Sequence, residues 1–256
     1  MPTLIVLSNQ EPNHKAFPMT PQLFKLLAKN KGKGYFKNEV AGDTATLYLY
    51  DAITSDNYWG GITALDFAKE LAAITAPNIN LRINSPGGDV FAARAMAQAI
   101  KDHPSQITAY VDGYAASAAT FLVIAADQSY IADGAMFMIH NAWTMAAGNA
   151  ADFTAMADLL SRTDQTLVND YLAKTGQTEQ QIKDWMAAET YWYGQEAVDA
   201  GFVTAMAPAS PKNNIDWDLS AYAHAPVIDQ KESNEPDPLI QENQNRLRMM
   251  QALINP

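Results

Sequence analysis

Apolar and polar positions are patterned most regularly between Thr44 and Met206. ATLYLYDAI (residues 45–53) alternates and is rich in β-formers, which predicts a strand. Leu65, Phe67, Ala68, Leu71 and Ile74 recur at helical spacing and predict a helix over 62–74. INLRIN (79–84) reads as a short strand ended by Pro86-Gly87-Gly88, and VFAARAMAQAIKD (90–102) as a helix stopped at His103-Pro104. ITAYVDG (107–113) predicts a strand, the Ala-rich stretch 115–126 a helix, and YIADGAMFMIH (130–140) one or two strands around a turn at Asp133-Gly134. Phe153, Met156, Leu160, Leu167 and Tyr171, with charges between them, then predict a long helix from Asp152 to Lys174 carrying one apolar stripe. Two shorter helices follow, over 179–188 and 194–200. Strands alternating with helices of about 10–15 residues imply an α/β domain with helices packed on a sheet.

Composition sets the bounds of that reading. A chain of 256 residues that is 48% hydrophobic is long enough and apolar enough to bury a sizeable core. The absence of cysteine excludes a disulfide scaffold, a thiol nucleophile and a thiolate metal site, and fits a reducing cytosol. With 17 Lys+Arg against 28 Asp+Glu, the net charge of −11 argues against nucleic acid as a partner. No apolar run approaches the ~20 residues that cross a bilayer, and MPTLIVLSNQEPNHK lacks the basic region of a signal sequence. A cytoplasmic protein without membrane contact is therefore expected.

The two ends differ from the middle. Six lysines and no acid lie between Lys15 and Lys37, a solvated extension or an arm for an acidic partner. From Ala207 to Pro238 five prolines stand among Asn, Asp and Ser, as in a linker or a wrapped tail, and LIQENQNRLRMMQALI (239–254) has the pattern of a short amphipathic helix. The expected division is a Lys-rich extension (1–43), a folded domain (44–206) and a Pro-rich tail (207–256).

Three places combine a strand end with residues that carry chemistry. Asn84-Ser85-Pro86-Gly87-Gly88-Asp89 is either a tight turn or a site where free amides meet negative charge. No GxxxxGK[ST] or GxGxxG pattern supports a phosphate site. Ser117, in GYAASAAT, sits among small residues near a helix start, where a serine caps the helix or is exposed as a nucleophile. His140 alone among the four histidines follows a core strand; by itself it is a satisfied core residue as readily as a base. No HxxxH or HxH spacing points to a metal, and neither a metal nor a cofactor is expected. Each signal alone has a structural explanation, yet together they supply what serine hydrolysis needs: a nucleophile, a base and oxyanion amides.

In this order and spacing, INSPGGDV, GYAASAAT and FMIHNAW resemble the proteolytic subunit of the Clp protease, and more closely its phage branch, the Clp-like head maturation (prohead) proteases. The resemblance runs from about Asp43 to Ala205 and includes ETYWYGQEAVDAGFV. It implies Ser117 as nucleophile, His140 as general base, and the amides of Gly88 and Ala118 as oxyanion hole, with Gly87 shaping the turn. Glu189 stands where cellular subunits carry a catalytic Asp; Asp184, five residues away, is the next candidate acid.

The implied fold is a crotonase-like superhelix of repeated β-β-α units, with the helix over 152–174 as a protruding handle. The implied assembly is a homo-oligomeric ring in stacked pairs, commonly heptamers. The implied activity is a serine-type endopeptidase, ATP-independent or unfoldase-assisted, acting on capsid, scaffold or portal proteins in the host cytoplasm or an assembling prohead. No unfoldase-docking loop is recognisable in residues 1–43, so an AAA+ partner is unsupported. Two other readings remain: a ring-forming structural subunit whose catalysis has decayed, and an acyl-CoA hydratase or isomerase of the same fold. A Ser–Lys peptidase is disfavoured because no lysine lies between Lys101 and Lys174.

Overall fold

The fold is known from a computed structural model that describes residues 21–56, 60–144, 146–208 and 217–226. It begins with α1 (Pro21–Asn30), β1 (Tyr35–Ala41), β2 (Thr44–Tyr50), the short β3 (Ile53–Thr54) and β4 (Ile62–Thr63), and α2 (Ala64–Ala72). Then come β5 (Asn78–Ser85), α3 (Val90–Asp102), β6 (Gln106–Ala116), a 3₁₀ turn at Ser117–Ala119 and α4 (Thr120–Ala125). The remainder is β7 (Gln128–Ile131), β8 (Met136–Ile139), α5 (Ala150–Thr175), α6 (Glu179–Ala187), β9 (Thr190–Tyr193), α7 (Gln195–Asp199) and β10 (Ala205–Met206).

β2, β5 and β6 pair in parallel at the centre of a mixed sheet, with β1 antiparallel on β2 at one side and β7 and β10 at the other. Leu47, Leu49, Leu81, Ile83, Ala109 and Val111 point from these strands to one face. There they bury Phe67 and Leu71 of α2, Met96 and Ile100 of α3, and Leu122 and Val123 of α4. The alternate residues line a tyrosine-rich face, where Arg82 lies 4.8 Å from the Tyr110 ring centroid and pairs with the buried Asp112 carboxylate. Strands and helices thus segregate by their periodicity, as an α/β domain requires.

Several elements differ from the sequence expectations. The Ala-rich stretch does not turn helical at residue 115: β6 runs on to Ala116, because Ala115 and Ala116 pair with Phe137 and Met138 of β8. Tertiary pairing overrides the helix preference of alanine here. β7 and β8 flank Asp133-Gly134 without pairing with each other; β7 lies on residues 108–111 of β6 and β8 on residues 114–116. β9 antiparallel to β8, with aromatic residues TYWY, was not anticipated. Within the Lys-rich segment, α1 buries Leu26 and Leu27, and β1 joins the sheet. The amphipathic pattern at 239–254 lies outside the described residues.

The long helix spans Ala150–Thr175, opened by an Asn149/Asp152 capping box and closed by Gly176 in the left-handed conformation. Its stripe is unevenly covered. Leu167, Val168 and Tyr171 are buried in the domain, whereas Phe153 and Leu159 are 52% and 48% exposed.

Candidate functional site

Two turns and a strand end meet at the carboxyl edge of β5, β6 and β8. After β5, Pro86-Gly87-Gly88 crosses the start of the 3₁₀ turn: a Cβ at Gly87 would collide with the Ala116 carbonyl and lie 3.1 Å from the Ala118 nitrogen. Gly88 holds φ +146, and a Cβ there would strike the Ile53 carbonyl, so both positions demand glycine. The Ile53 amide donates to the Gly87 carbonyl, and Asp89 donates to the Ile53 carbonyl. That parallel bridge leaves the Gly88 N–H directed to the other side of the chain. The Ala118 N–H lies in the first turn of the 3₁₀ segment, where amides have no intrahelical acceptor.

Ser117 adopts φ +53, an unusual conformation for a residue with a side chain. Such strain costs about 1–3 kcal/mol and persists only where the surroundings over-determine it. The Thr120 hydroxyl donates to the Ser117 carbonyl at 2.6 Å; its proton thus committed, it accepts from the Tyr171 hydroxyl at 2.7 Å. The long helix α5 thereby braces the serine turn. It also holds the segment after His140, since Asp164 accepts from the Ala142 amide at 2.6 Å.

The Ser117 Oγ lies 2.6 Å from His140 Nε2. Burial pushes the imidazole down from 6.5 to about 4, against the opposing pull of the Glu189 carboxylate. The ring is therefore neutral at pH 7, as a proton acceptor must be.

Glu189 is differently placed. The β8–β9 register ends with Ile139 paired to Thr190, and His140 and Glu189 each follow directly beyond it. Yet the carboxylate faces other donors: Oε1 accepts from the Tyr191 hydroxyl at 2.7 Å and the His224 amide at 2.6 Å, and Oε2 from the Ala223 amide at 3.1 Å. No hydrogen bond between Glu189 and His140 occurs among the described residues. Like Ser117, Glu189 is a non-glycine residue at positive φ, here +50. Asp184 lies on α6, accepts from Gln180, and is not part of this cluster. His103 ends α3 and accepts from the Ser105 amide, a structural role. Among the described residues no group of three His, Asp or Glu is placed to hold a metal, and no helix is long and apolar enough to span a membrane.

Four residues take part here in roles that no motif assigns. Asn84, at a register shift between Ile83 and Ser85, accepts from the Tyr114 amide at 3.1 Å and the Trp217 indole at 2.8 Å. Thr120 and Tyr171 brace the serine. Tyr222 sets its ring edge-on to His140, with centroids 5.2 Å apart, and donates its hydroxyl to the Pro86 carbonyl. Only Tyr171 carried a signal, as part of the apolar stripe.

The family profile described as Clp protease matches residues 43–209. The chain is 34% identical over 128 residues to the ATP-dependent Clp protease proteolytic subunit 1 of Corynebacterium jeikeium, covering 49% of this chain and 68% of that protein. It is 33% identical over 128 residues to proteolytic subunit 2 of Corynebacterium glutamicum, covering 49% and 64%. It is 30% identical over 146 residues to proteolytic subunit 1 of Leifsonia xyli subsp. xyli, covering 55% and 74%. The chain thus spans about two thirds of the length of these bacterial relatives.

Proposed function

The chain belongs to the Clp protease family of serine-type peptidases, and from that premise we propose that it is a serine endopeptidase working through Ser117 and His140. The 2.6 Å contact between the Ser117 Oγ and His140 Nε2 carries this reading. In the reaction, Ser117 Oγ attacks a peptide carbonyl while His140 Nε2 takes its proton. The amides of Gly88 and Ala118 stabilise the oxyanion. The tetrahedral intermediate collapses, the C–N bond breaks, and His140 returns the proton to the leaving amine. Water then enters, gives a proton to His140, and releases the acid from the acyl-enzyme as Ser117 recovers its hydrogen. Glu189, whose charge acts on His140, stabilises the imidazolium.

A fluorophosphonate probe tests the nucleophile: it is expected to label the chain and not the Ser117→Ala variant. Equal labelling of both overturns the assignment. The engagement of Glu189 by Tyr191 and by the segment after Trp217 favours a second reading, a subunit whose catalysis has decayed. Absence of labelling in every variant would support that reading.

The finer assignments rest on the motif resemblance and on α5. By the likeness to prohead proteases, the substrates are capsid-related proteins met in the host cytoplasm or the prohead; the relatives named above are bacterial subunits. Cleavage of co-expressed capsid protein by the wild type but not by Ser117→Ala tests the substrate. The exposed Phe153 and Leu159 suit burial between subunits of a ring, two stacked heptamers by the same likeness. Native mass measurement tests the assembly.

A further inference from the structure

Residues 217–224 are not a strand of the sheet, yet they lie across the Ser117–His140 cleft and touch each of its parts. Trp217, 1% exposed, donates its indole N–H to the buried Asn84 at the base of the Pro86-Gly87-Gly88 turn. Tyr222 is buried against His140, donates to the Pro86 carbonyl and also interacts with Ser117. The amides of Ala223 and His224 occupy the Glu189 carboxylate. A scissile carbonyl must come within about 3–3.5 Å of the serine oxygen to react. Tyr222 stands beside both Ser117 and His140, bonded to the turn that also carries the Gly88 amide.

A second observation shows how this segment is held. α1 grips it from outside the cleft: Asn30 Nδ2 donates to the Asp218 carbonyl at 3.0 Å, while the Asp218 amide donates to Asn30 Oδ1 at 2.7 Å. Lys25 donates to the Ser220 carbonyl. Burial alone would raise the Asp218 carboxyl, but bonds from Ser220 and the charges of Lys29 and Lys33 outweigh it and hold it low. Two lysines of the segment that the sequence offers as a solvated extension or an arm for an acidic partner thus face an acid of the chain's own tail. These attachments run through side chains of Asn30, Lys25, Asn84 and Glu189 and through the Pro86 and Ala188 carbonyls, with no strand ladder to the sheet.

We propose that the cleft beside Ser117 and His140 is a binding site for an extended peptide carrying aromatic residues and an acid, and that residues 217–224 occupy it as an intramolecular inhibitor clamped by α1. The inhibitory role rests on the peptidase reading given above; the binding of the peptide does not. Opening the clamp frees the cleft for a substrate in trans.

The test compares full-length wild type, Asn30→Ala and Tyr222→Ala. Asn30→Ala loosens the clamp by removing its two hydrogen bonds to Asp218, without altering any group of the cleft. Both variants are expected to react with a fluorophosphonate on the order of tenfold faster than wild type, because the competent open state is more populated. A synthetic peptide of residues 214–225, NIDWDLSAYAHA, is expected to slow both variants, and a scrambled peptide is not. Fluorescence anisotropy of the labelled peptide, expected to rise with Asn30→Ala and less with wild type, reads occupancy without any chemistry. Wild-type reaction rates in a folded Asn30→Ala, or equal anisotropy with native and scrambled peptide, overturn the inhibitor. Should Tyr222→Ala fail to fold, Asn30→Ala and the peptide decide. Labelling that survives Ser117→Ala overturns the peptidase reading instead, and the anisotropy still judges the binding site.

Discussion

Ser117 and Glu189 are the two described non-glycine residues with positive φ, at +53 and +50, and they sit at opposite sides of one site. The strained turn at Ser117 delivers its hydroxyl to His140. The strained turn at Glu189 delivers its carboxylate to Tyr191 and to the amides of Ala223 and His224. The same backbone device thus builds a finished half, nucleophile and base, and a half two of whose three donors come from a segment lying over the cleft. The serine–histidine pair is set by the sheet edge and braced by α5, whereas the acid keeps only Tyr191 when that segment leaves.

The comparison breaks or sharpens under substitution. The largest effect is expected in the finished half: with the clamp loosened by Asn30→Ala, adding Ser117→Ala or His140→Ala should lower peptide hydrolysis by about 10⁴-fold or more. Gly88→Ala should follow, losing about 10²-fold in kcat if the fold survives, because the oxyanion amide moves when the new Cβ meets the Ile53 carbonyl. In the same background Glu189→Gln should cost about tenfold or less, since its charge and not a hydrogen bond acts on His140. A loss as deep as that of His140→Ala would show the two halves to be equivalent and end the contrast.

The smallest effect is on pH dependence. With His140 pushed down to about 4, the acid limb of hydrolysis is expected near pH 4 in the wild type. It should move toward 6.5 in Asn30→Ala as Tyr222 leaves the ring. Because the folded value lies below that of the unfolded chain, the stability from neutral His140 is fully present above about pH 6.5 and lost as pH falls toward 4. Melting temperatures should decline through that window, and less steeply in Asn30→Ala.

Local chemistry made the finished half legible in the sequence. A strand followed by Pro86-Gly87-Gly88, a serine among small residues and a histidine after an apolar strand are each short-range patterns, and their order carried the family resemblance. Partners set by long-range contact were not legible. β6 outruns its helix-favouring alanines because β8 pairs with them, and TYWY becomes β9 only beside β8. Trp217 and Tyr222 stand in a stretch of Asn, Asp and Pro that reads as a linker; only their burial against Asn84 and His140 shows otherwise. The stripe on α5 marked an apolar face correctly, but periodicity does not say which half of it the domain covers.

The grip of Asn30 on the Asp218 backbone has a mechanical consequence. With the bond from Lys25 to Ser220, it ties α1 to the segment over the nucleophile, so tension on either one loads the same three hydrogen bonds. Pulling on α1 therefore strains the chain four residues before Tyr222, at Asp218.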